Sequence, residues 1–218
     1  MPDRPNVLFI SSDQHQTAAS GCYGHSEVQT PNIDRIAASG ILFNRAYCQA
    51  PVCTPSRGSI ISGQYPHVHG ARLLIDPLPV GTRTIAHHFG EQGYQTAAIG
   101  KMHFNDKQKH GFQVRIDRPE FNETLTDEEK DEFWRDVIGY EGYETAHTGK
   151  ASTLTERYFQ DTFFADETVR YLRETRDPEK PFLLWSSYVL PHTPLVPVKE
   201  YFDLYDPEKL TLPERSAN

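Results

Sequence analysis

The residues with the clearest chemical potential are five in a row, Cys53-Thr54-Pro55-Ser56-Arg57. Thr-Pro-Ser after a cysteine is typical of the start of a helix, which places the arginine one turn into that helix. The first turn of a helix has unpaired N–H groups and the positive end of the helix dipole, so it attracts anions. A cysteine thiolate beside an arginine at such a point is nucleophilic. The motif therefore predicts a site for an oxyanion ester.

The elements that must position this motif are apolar runs alternating with helical patterns. Residues 6–12 are a continuous apolar run that ends in polar residues, and they predict a buried strand of a mostly parallel sheet. Residues 94–99 predict a second strand, and residues 182–188 predict a third, buried strand. Helices are predicted at about 30–40, 55–62, 84–92 and 155–176, and a short strand at 41–46. Strands that alternate with helices predict an α/β layered fold, with a central sheet and helices on both faces.

Polar residues follow each of the three predicted strands. Asp13 and Gln14 follow the first, Lys101 and His103 follow the second, and His192 follows the third. The carboxyl ends of parallel strands meet at one edge of a sheet, where ligands bind in open α/β folds. On an extended segment, residues two apart face the same side, so Lys101 and His103 are expected to point together. The pattern predicts that these side chains lie beside the cysteine motif.

Composition excludes several classes of protein. The 218 residues are 37% hydrophobic and 24% charged, as expected for one soluble globular domain or part of one. A net charge of −8 argues against a nucleic-acid partner, and no apolar run approaches the ~20 residues of a membrane span. Three cysteines make a disulfide framework an unfavoured reading. The sequence has no signal peptide after Met1, so a cytoplasmic location is expected.

The residues alone leave the chemistry of Cys53 open. A plain cysteine hydrolase or phosphatase is one reading, but the longer Gly- and Arg-containing loop of a cysteine phosphatase is absent. The oxygen ligands of Asp13 and Gln14 favour Ca²⁺, Mg²⁺ or Mn²⁺ over zinc. A thiolate beside such a hard cation is a poor chemical match, because thiolates prefer soft metals.

The motif resembles the signature of the type I, formylglycine-dependent sulfatases of the alkaline phosphatase-like superfamily. Cys53, Pro55 and Arg57 match its core positions, and residues 58–63 extend the match, with Ser62 where threonine is commoner. The resemblance implies that a formylglycine-generating or anaerobic sulfatase-maturing enzyme oxidises Cys53 to formylglycine. One oxygen of the hydrated aldehyde then attacks sulfur and forms a covalent sulfate ester. The second oxygen loses a proton and collapses that ester, which expels sulfate and restores the aldehyde. The implied substrate is a small-molecule or carbohydrate sulfate ester.

The resemblance also implies roles for the residues at the strand ends. Asp13, Gln14 and the modified Cys53 would bind a divalent metal. Ca²⁺ is the expected metal, with Mg²⁺ or Mn²⁺ as alternatives. The catalytic set would comprise Cys53, Arg57, Lys101, His103 and His192. Within it, Lys101 would contact sulfate oxygens and His103 would bond the formylglycine hydrate. His192, held between two prolines, would contact the sulfate and the leaving oxygen.

The chain departs from the family in one respect. Family members are usually much longer, and their second half supplies an Asp followed by Asn or His as metal ligands; no such pair follows His192. We therefore expect residues 1–218 to be the amino-terminal part of a sulfatase catalytic domain, incomplete at its C-terminus and completed by a second segment. Residues 112–150 are expected to be a surface insertion that frames the substrate. The alternatives are a phosphonate or phosphate monoester hydrolase of the same superfamily, or an inactive fragment.

Overall fold

The structure, a computed structural model, describes residues 4–105, 108–138 and 149–211. The chain divides into two compact units. The first contains the residues up to Gln14, together with Ala46–Thr126 and Phe159–Pro191. The second contains His15–Arg45, Asp127–Tyr158 and the residues from His192 onward. No helix among the described residues is long and apolar enough to cross a membrane.

The first unit is built on a parallel sheet. Its described strands are β1 (Val7–Ser12), β2 (Gln95–Gly100), β3 (Val114–Ile116) and β4 (Phe182–Tyr188), in the spatial order β1-β4-β2-β3. All three pairings are parallel. Ser12 aligns with Tyr188, and Gly100 aligns with Ser187. The carboxyl ends of β1, β2 and β4 therefore meet at one edge, which confirms the predicted α/β class.

Eight α-helices accompany the strands in the described residues. In chain order they are α1 (Pro31–Ser39), α2 (Cys53–Ser62), α3 (Pro66–His69), α4 (Ile85–Glu91), α5 (Arg118–Glu123), α6 (Asp127–Phe133), α7 (Gln160–Arg170) and α8 (Lys199–Phe202). Short 3₁₀ turns lie at Thr17–Ala19, Gly21–Tyr23 and Glu156–Tyr158, and π-helical segments at Trp134–Ile138 and Tyr171–Thr175.

The core of the first unit lies on both faces of the sheet, because successive strand residues point to opposite sides. Ala98 of β2 belongs to one buried cluster, while its neighbours Ala97 and Ile99 belong to the other. The first cluster includes Ile61 of α2, and the second includes Phe164 of α7. Helices therefore pack on each face, as the sequence predicted.

The prediction that the first strand is buried was wrong. Leu8, Phe9 and Ile10 are 44%, 38% and 53% exposed. Among the residues that the structure describes, β1 pairs only with β4 and so forms an edge of the sheet. The apolar run was correctly identified as a strand, but its neighbours decide its burial.

Two further predictions of secondary structure needed correction. Residues 41–46 form no strand. The predicted helix at 155–176 is divided into a 3₁₀ turn, α7 and a π-helical segment. The interval 112–150 includes β3, α5 and α6, and its residues 139–148 lie outside the described part of the chain. Its role in framing a substrate stays a prediction.

The second unit is held locally around the start of α1. The side chain of Thr30 accepts a hydrogen bond from the Gly21 backbone at 2.8 Å, and that of Asp34 accepts one from Cys22 at 2.7 Å. These contacts tie the turn at Gly21–Tyr23 to the start of α1, because Thr30, just before the helix, and Asp34, in its first turn, satisfy backbone N–H groups of the preceding loop.

Candidate active site

Helix α2 presents Cys53 at its first position. The preceding residue, Val52, has extended backbone angles of φ −134° and ψ 139°, and the helix runs on to Ser62. It ends at Gly63, whose left-handed φ of 69° suits a residue without a Cβ. The helix thus begins two residues earlier than the sequence suggested. Cys53 consequently lies at the end of the helix where unpaired N–H groups favour negative charge.

The sheet edge brings Asp13 and Lys101 to Cys53. The thiol sulfur lies 3.5 Å from Asp13 Oδ2 and 3.7 Å from Asp13 Oδ1. Lys101 Nζ lies 3.7 Å from the same sulfur and 2.5 Å from Asp13 Oδ2. Asp13 follows β1 and Lys101 follows β2, so the prediction that strand ends and cysteine motif converge is confirmed for these three residues.

Arg57 is the fourth residue of this cluster. Its side chain is only 7% exposed, and Nη2 lies 3.3 Å from Asp13 Oδ2. Nη1 donates to Ser187 Oγ at 2.8 Å and to the backbone carbonyl of Lys101. The guanidinium also lies 5.7 Å from the ring centroid of Trp185. Arg57 therefore joins α2 to the ends of β2 and β4, and it supplies positive charge to the cluster that contains Cys53.

The charges in the cluster do not cancel. Lys101 and Arg57 are both paired to the single carboxylate of Asp13, so these three side chains alone have one positive charge in excess. Burial alone would raise the pKa of Asp13, but the hydrogen bond and charge of Lys101, with the charge of Arg57, outweigh it and lower that pKa. Burial lowers the pKa of Arg57, and the charge of Asp13 opposes this. The arrangement suits a singly charged anion at the start of α2.

A serine network that the sequence analysis missed supports Arg57. Trp185 Nε1 donates to Ser11 Oγ at 2.8 Å, and Ser11 Oγ donates to Ser187 Oγ at 3.2 Å. Ser187 is fully buried, and its Oγ accepts a hydrogen bond from Arg57. The available signal was that the apolar runs of β1 and β4 both close on serine pairs, Ser11-Ser12 and Ser186-Ser187.

Gln14 and His103 share an uncommon backbone conformation. Their φ angles are 61° and 53°, in the left-handed region that non-glycine residues rarely adopt. Both side chains are exposed. The chain is not extended at His103, so the extended segment assumed for Lys101 and His103 is not present there, and their shared direction stays a prediction. The roles of both residues stay predictions.

The predicted histidine at the end of β4 belongs to the second unit. His192 Nδ1 lies 2.6 Å from the carbonyl oxygen of Thr193. A ring N–H at Nδ1 donates to that oxygen, and the neutral ring then keeps its lone pair at Nε2, the nitrogen that can accept a proton. A role for His192 beside Cys53 stays a prediction.

The metal prediction can be compared with the ligands in place. Carboxylate and amide oxygens such as those of Asp13 and Gln14 suit a hard cation. Within residues 4–105, 108–138 and 149–211, however, no group of three or more His, Cys, Asp or Glu side chains is arranged to hold a metal. Calcium takes six to eight oxygen ligands. The donor type fits a hard cation, and further ligands would be needed to complete its coordination.

Comparison with known proteins decides the family. A family model described as Sulfatase matches residues 5–216. The chain belongs to the sulfatase family. An arylsulfatase of Clostridium perfringens is 31% identical over 231 residues, covering 96% of this chain and 48% of the relative. An N-acetylglucosamine-6-O-sulfatase of Bacteroides thetaiotaomicron is 29% identical, covering 93% of this chain and 33% of the relative.

The fold of this chain is also similar to that of a solved structure. The crystal structure of a phosphonate monoester hydrolase of Agrobacterium radiobacter matches with a TM-score of 0.76 at 24% identity, covering 99% of this chain and 46% of that one. At this identity the likeness concerns the fold alone, and it agrees with the predicted α/β layered architecture. This sulfatase-family chain spans about half the length of the arylsulfatase and the hydrolase it matches.

Proposed function

We propose that this chain carries part of the active site of a sulfatase that hydrolyses an organic sulfate monoester at Cys53. The observation that carries the proposal is the meeting of Cys53, Asp13, Lys101 and Arg57 at the start of α2. A sulfate monoester is an anion, and the two cationic side chains of the cluster and the start of the helix would attract it. The named sulfatase relatives support the same reaction.

The nucleophile in this proposal is Cys53 after conversion to formylglycine by a maturation enzyme. Formylglycine would supply, as its hydrate, an oxygen nucleophile in place of the thiol. Lys101, 3.7 Å from the sulfur, would stabilise the charge on the transferring group. Arg57 would hold Asp13 in place and add to the positive potential at the start of α2. His103 would bond the modified side chain, and His192 would protonate the leaving oxygen.

A divalent cation is part of the proposal. Asp13 and Gln14 would hold it, and Ca²⁺ suits their oxygen ligands best, with Mg²⁺ or Mn²⁺ as alternatives. It would polarise the oxygens of the bound group as a Lewis acid. A second segment that supplies further ligands is also proposed, because the described residues offer too few and the relatives are longer.

Mass spectrometry of the peptide that contains Cys53 tests the modification. Co-expression with a formylglycine-generating enzyme should make this peptide lighter by the difference between SH₂ and O. The exposed Cys48 provides the control, since C48A should leave conversion and activity unchanged, whereas C53A abolishes both. A peptide that keeps its thiol while the protein remains active would refute the formylglycine route.

A matched pair of substrates separates the two candidate reactions. Aryl sulfate and aryl phosphonate esters with the same leaving group should be hydrolysed at different rates, with the sulfate preferred by at least about tenfold. A glucosamine sulfate in the same series tests for a carbohydrate substrate. Faster turnover of the phosphonate would replace the proposed function with a phosphonate hydrolase.

A further inference from the structure

Asp161 occupies a position that the sulfatase motif does not explain. It lies in the first turn of α7, and its carboxylate binds the backbone just beyond β4. Val189 N–H donates to Oδ1 and Leu190 N–H donates to Oδ2, both at 2.7 Å. One side chain thus accepts hydrogen bonds from two consecutive backbone N–H groups that lie beyond the end of the sheet. Without such an acceptor, these N–H groups would be costly to bury.

The turn held in this way adjoins the cluster at Cys53. Tyr188, the last residue of β4, accepts a hydrogen bond from the backbone N–H of Asp13 at 3.2 Å. Burial raises the pKa of Asp161, against the effect of the two backbone N–H bonds, and the charges of Lys101 and Asp13 also act on it. The charges of Lys101 and Asp13 therefore affect Asp161, while its carboxylate accepts two hydrogen bonds from backbone N–H groups of the turn.

We propose that Asp161 is a positioning residue that fixes the turn after β4 and thereby sets the point from which the chain continues to His192. His192 follows Leu190 by two residues, with Pro191 between them. Proline has a fixed φ, so the ring of Pro191 removes one of the backbone torsions between the anchored Leu190 and His192. The catalytic part of this inference rests on the proposed sulfatase function.

Substitution at Asp161 separates positioning from general support of the fold. An asparagine keeps one acceptor oxygen but replaces the other with a donor, so one of the N–H groups of Val189 and Leu190 loses its acceptor. The control is D166N, an identical change at an exposed position of the same helix. D161E keeps the charge and both oxygens, and it provides a second reading if D161N fails to fold.

Amide hydrogen exchange and the NMR chemical shifts of the His192 ring provide readouts that need no turnover. We expect D161N to accelerate exchange at Val189 or Leu190 by roughly tenfold or more and to change the ring chemical shifts of His192. D161E should produce smaller changes of the same kind, and D166N should produce neither. In the complete, matured enzyme, D161N should lower kcat about tenfold with little change in KM.

Three outcomes would overturn the inference or part of it. Unchanged exchange at both amides in D161N and D161E would show that Asp161 does not hold the turn. Faster exchange with unaltered His192 ring chemical shifts and kcat would reduce Asp161 to a purely structural residue. Changes in exchange and in the His192 ring chemical shifts, in a protein whose wild type hydrolyses no sulfate ester, would support the positioning role and refute the proposed function.

Discussion

His110 provides the sharpest test of the physical reasoning, because it is a buried base without a hydrogen-bond partner in the described structure. Only 4% of the residue is exposed, and neither ring nitrogen has a hydrogen-bond partner among the described atoms. The ring packs edge-on against Phe104, with 5.3 Å between the ring centroids. Burial, followed by the charges of Arg115 and His87, lowers the pKa of His110 to about 4.

This pKa fixes the sign and size of the effect on stability. In the unfolded chain the histidine titrates near its usual pKa of about 6.5, so between pH 6.5 and pH 4 the unfolded state binds more protons than the folded state. Stability must therefore fall as the pH is lowered through this window. The difference between 6.5 and about 4 corresponds to about 3 kcal/mol in full, and to about 2 kcal/mol between pH 7 and pH 5.

Replacement of the histidine should remove this loss. We expect H110F, which keeps an aromatic ring against Phe104, to lose about 2 kcal/mol less free energy of unfolding than the wild type between pH 7 and pH 5. The backbone φ of 46° at this position strains a phenylalanine equally at both pH values, so it cancels from the comparison. H110N tolerates that φ better and should show the same flattened pH dependence.

Urea denaturation at the two pH values measures the effect. H67F, at an exposed histidine, is the matched control and should retain the full pH dependence of the wild type. If H110F and the wild type lose equal free energy of unfolding between pH 7 and pH 5, then His110 is protonated or solvated in the folded protein, and the reasoning from its burial is refuted.

Three further predictions concern the elements that position the cluster. G100A should destabilise the fold by more than about 3 kcal/mol in urea denaturation, since a Cβ would lie 1.9 Å from a carbonyl oxygen of β4; G24A, also at positive φ but in open space, should cost only about 1 kcal/mol. G58A should cost about 2 kcal/mol, because its Cβ would lie 2.9 Å from the His69 ring, and less in an H69A background. R57K should lower the free energy of unfolding by about 3 kcal/mol, as lysine cannot make the divided contacts of a buried guanidinium; an unchanged midpoint would contradict this.

Strand-end reasoning could place Asp13, Lys101 and Cys53 together because the geometry of parallel strands is general. A run of apolar residues indicates a strand, and the residue after it must lie at the sheet edge. The same reasoning could not find Asp161, because its two acceptor contacts depend on how α7 packs against the turn after β4. Sequence spacing contains no record of that packing.

Other errors have the same origin in tertiary context. An apolar run such as that of β1 identifies a strand but does not specify what lies on either side of it. The left-handed conformation of Gln14 and His103 is likewise invisible to alternation rules, which assume an extended chain. The burial of His69, whose Nε2 lies 3.1 Å from Ser59 Oγ, also depends on tertiary packing. Its ring packs where Gly58 leaves room.

The spacing of the cysteine motif itself has a geometric reason. Residues four apart on a helix share a face, so the turn that places Cys53 at the start of α2 also aims Arg57 toward the same side. Both side chains reach one atom, Asp13 Oδ2, at 3.5 Å from the sulfur and 3.3 Å from the guanidinium. One added residue between them would rotate Arg57 by about 100° around the helix axis and remove it from this carboxylate. The positions of Cys53 and Arg57 relative to Asp13 are thus set by a single helical turn, and the sheet edge needs to supply only the carboxylate and the lysine.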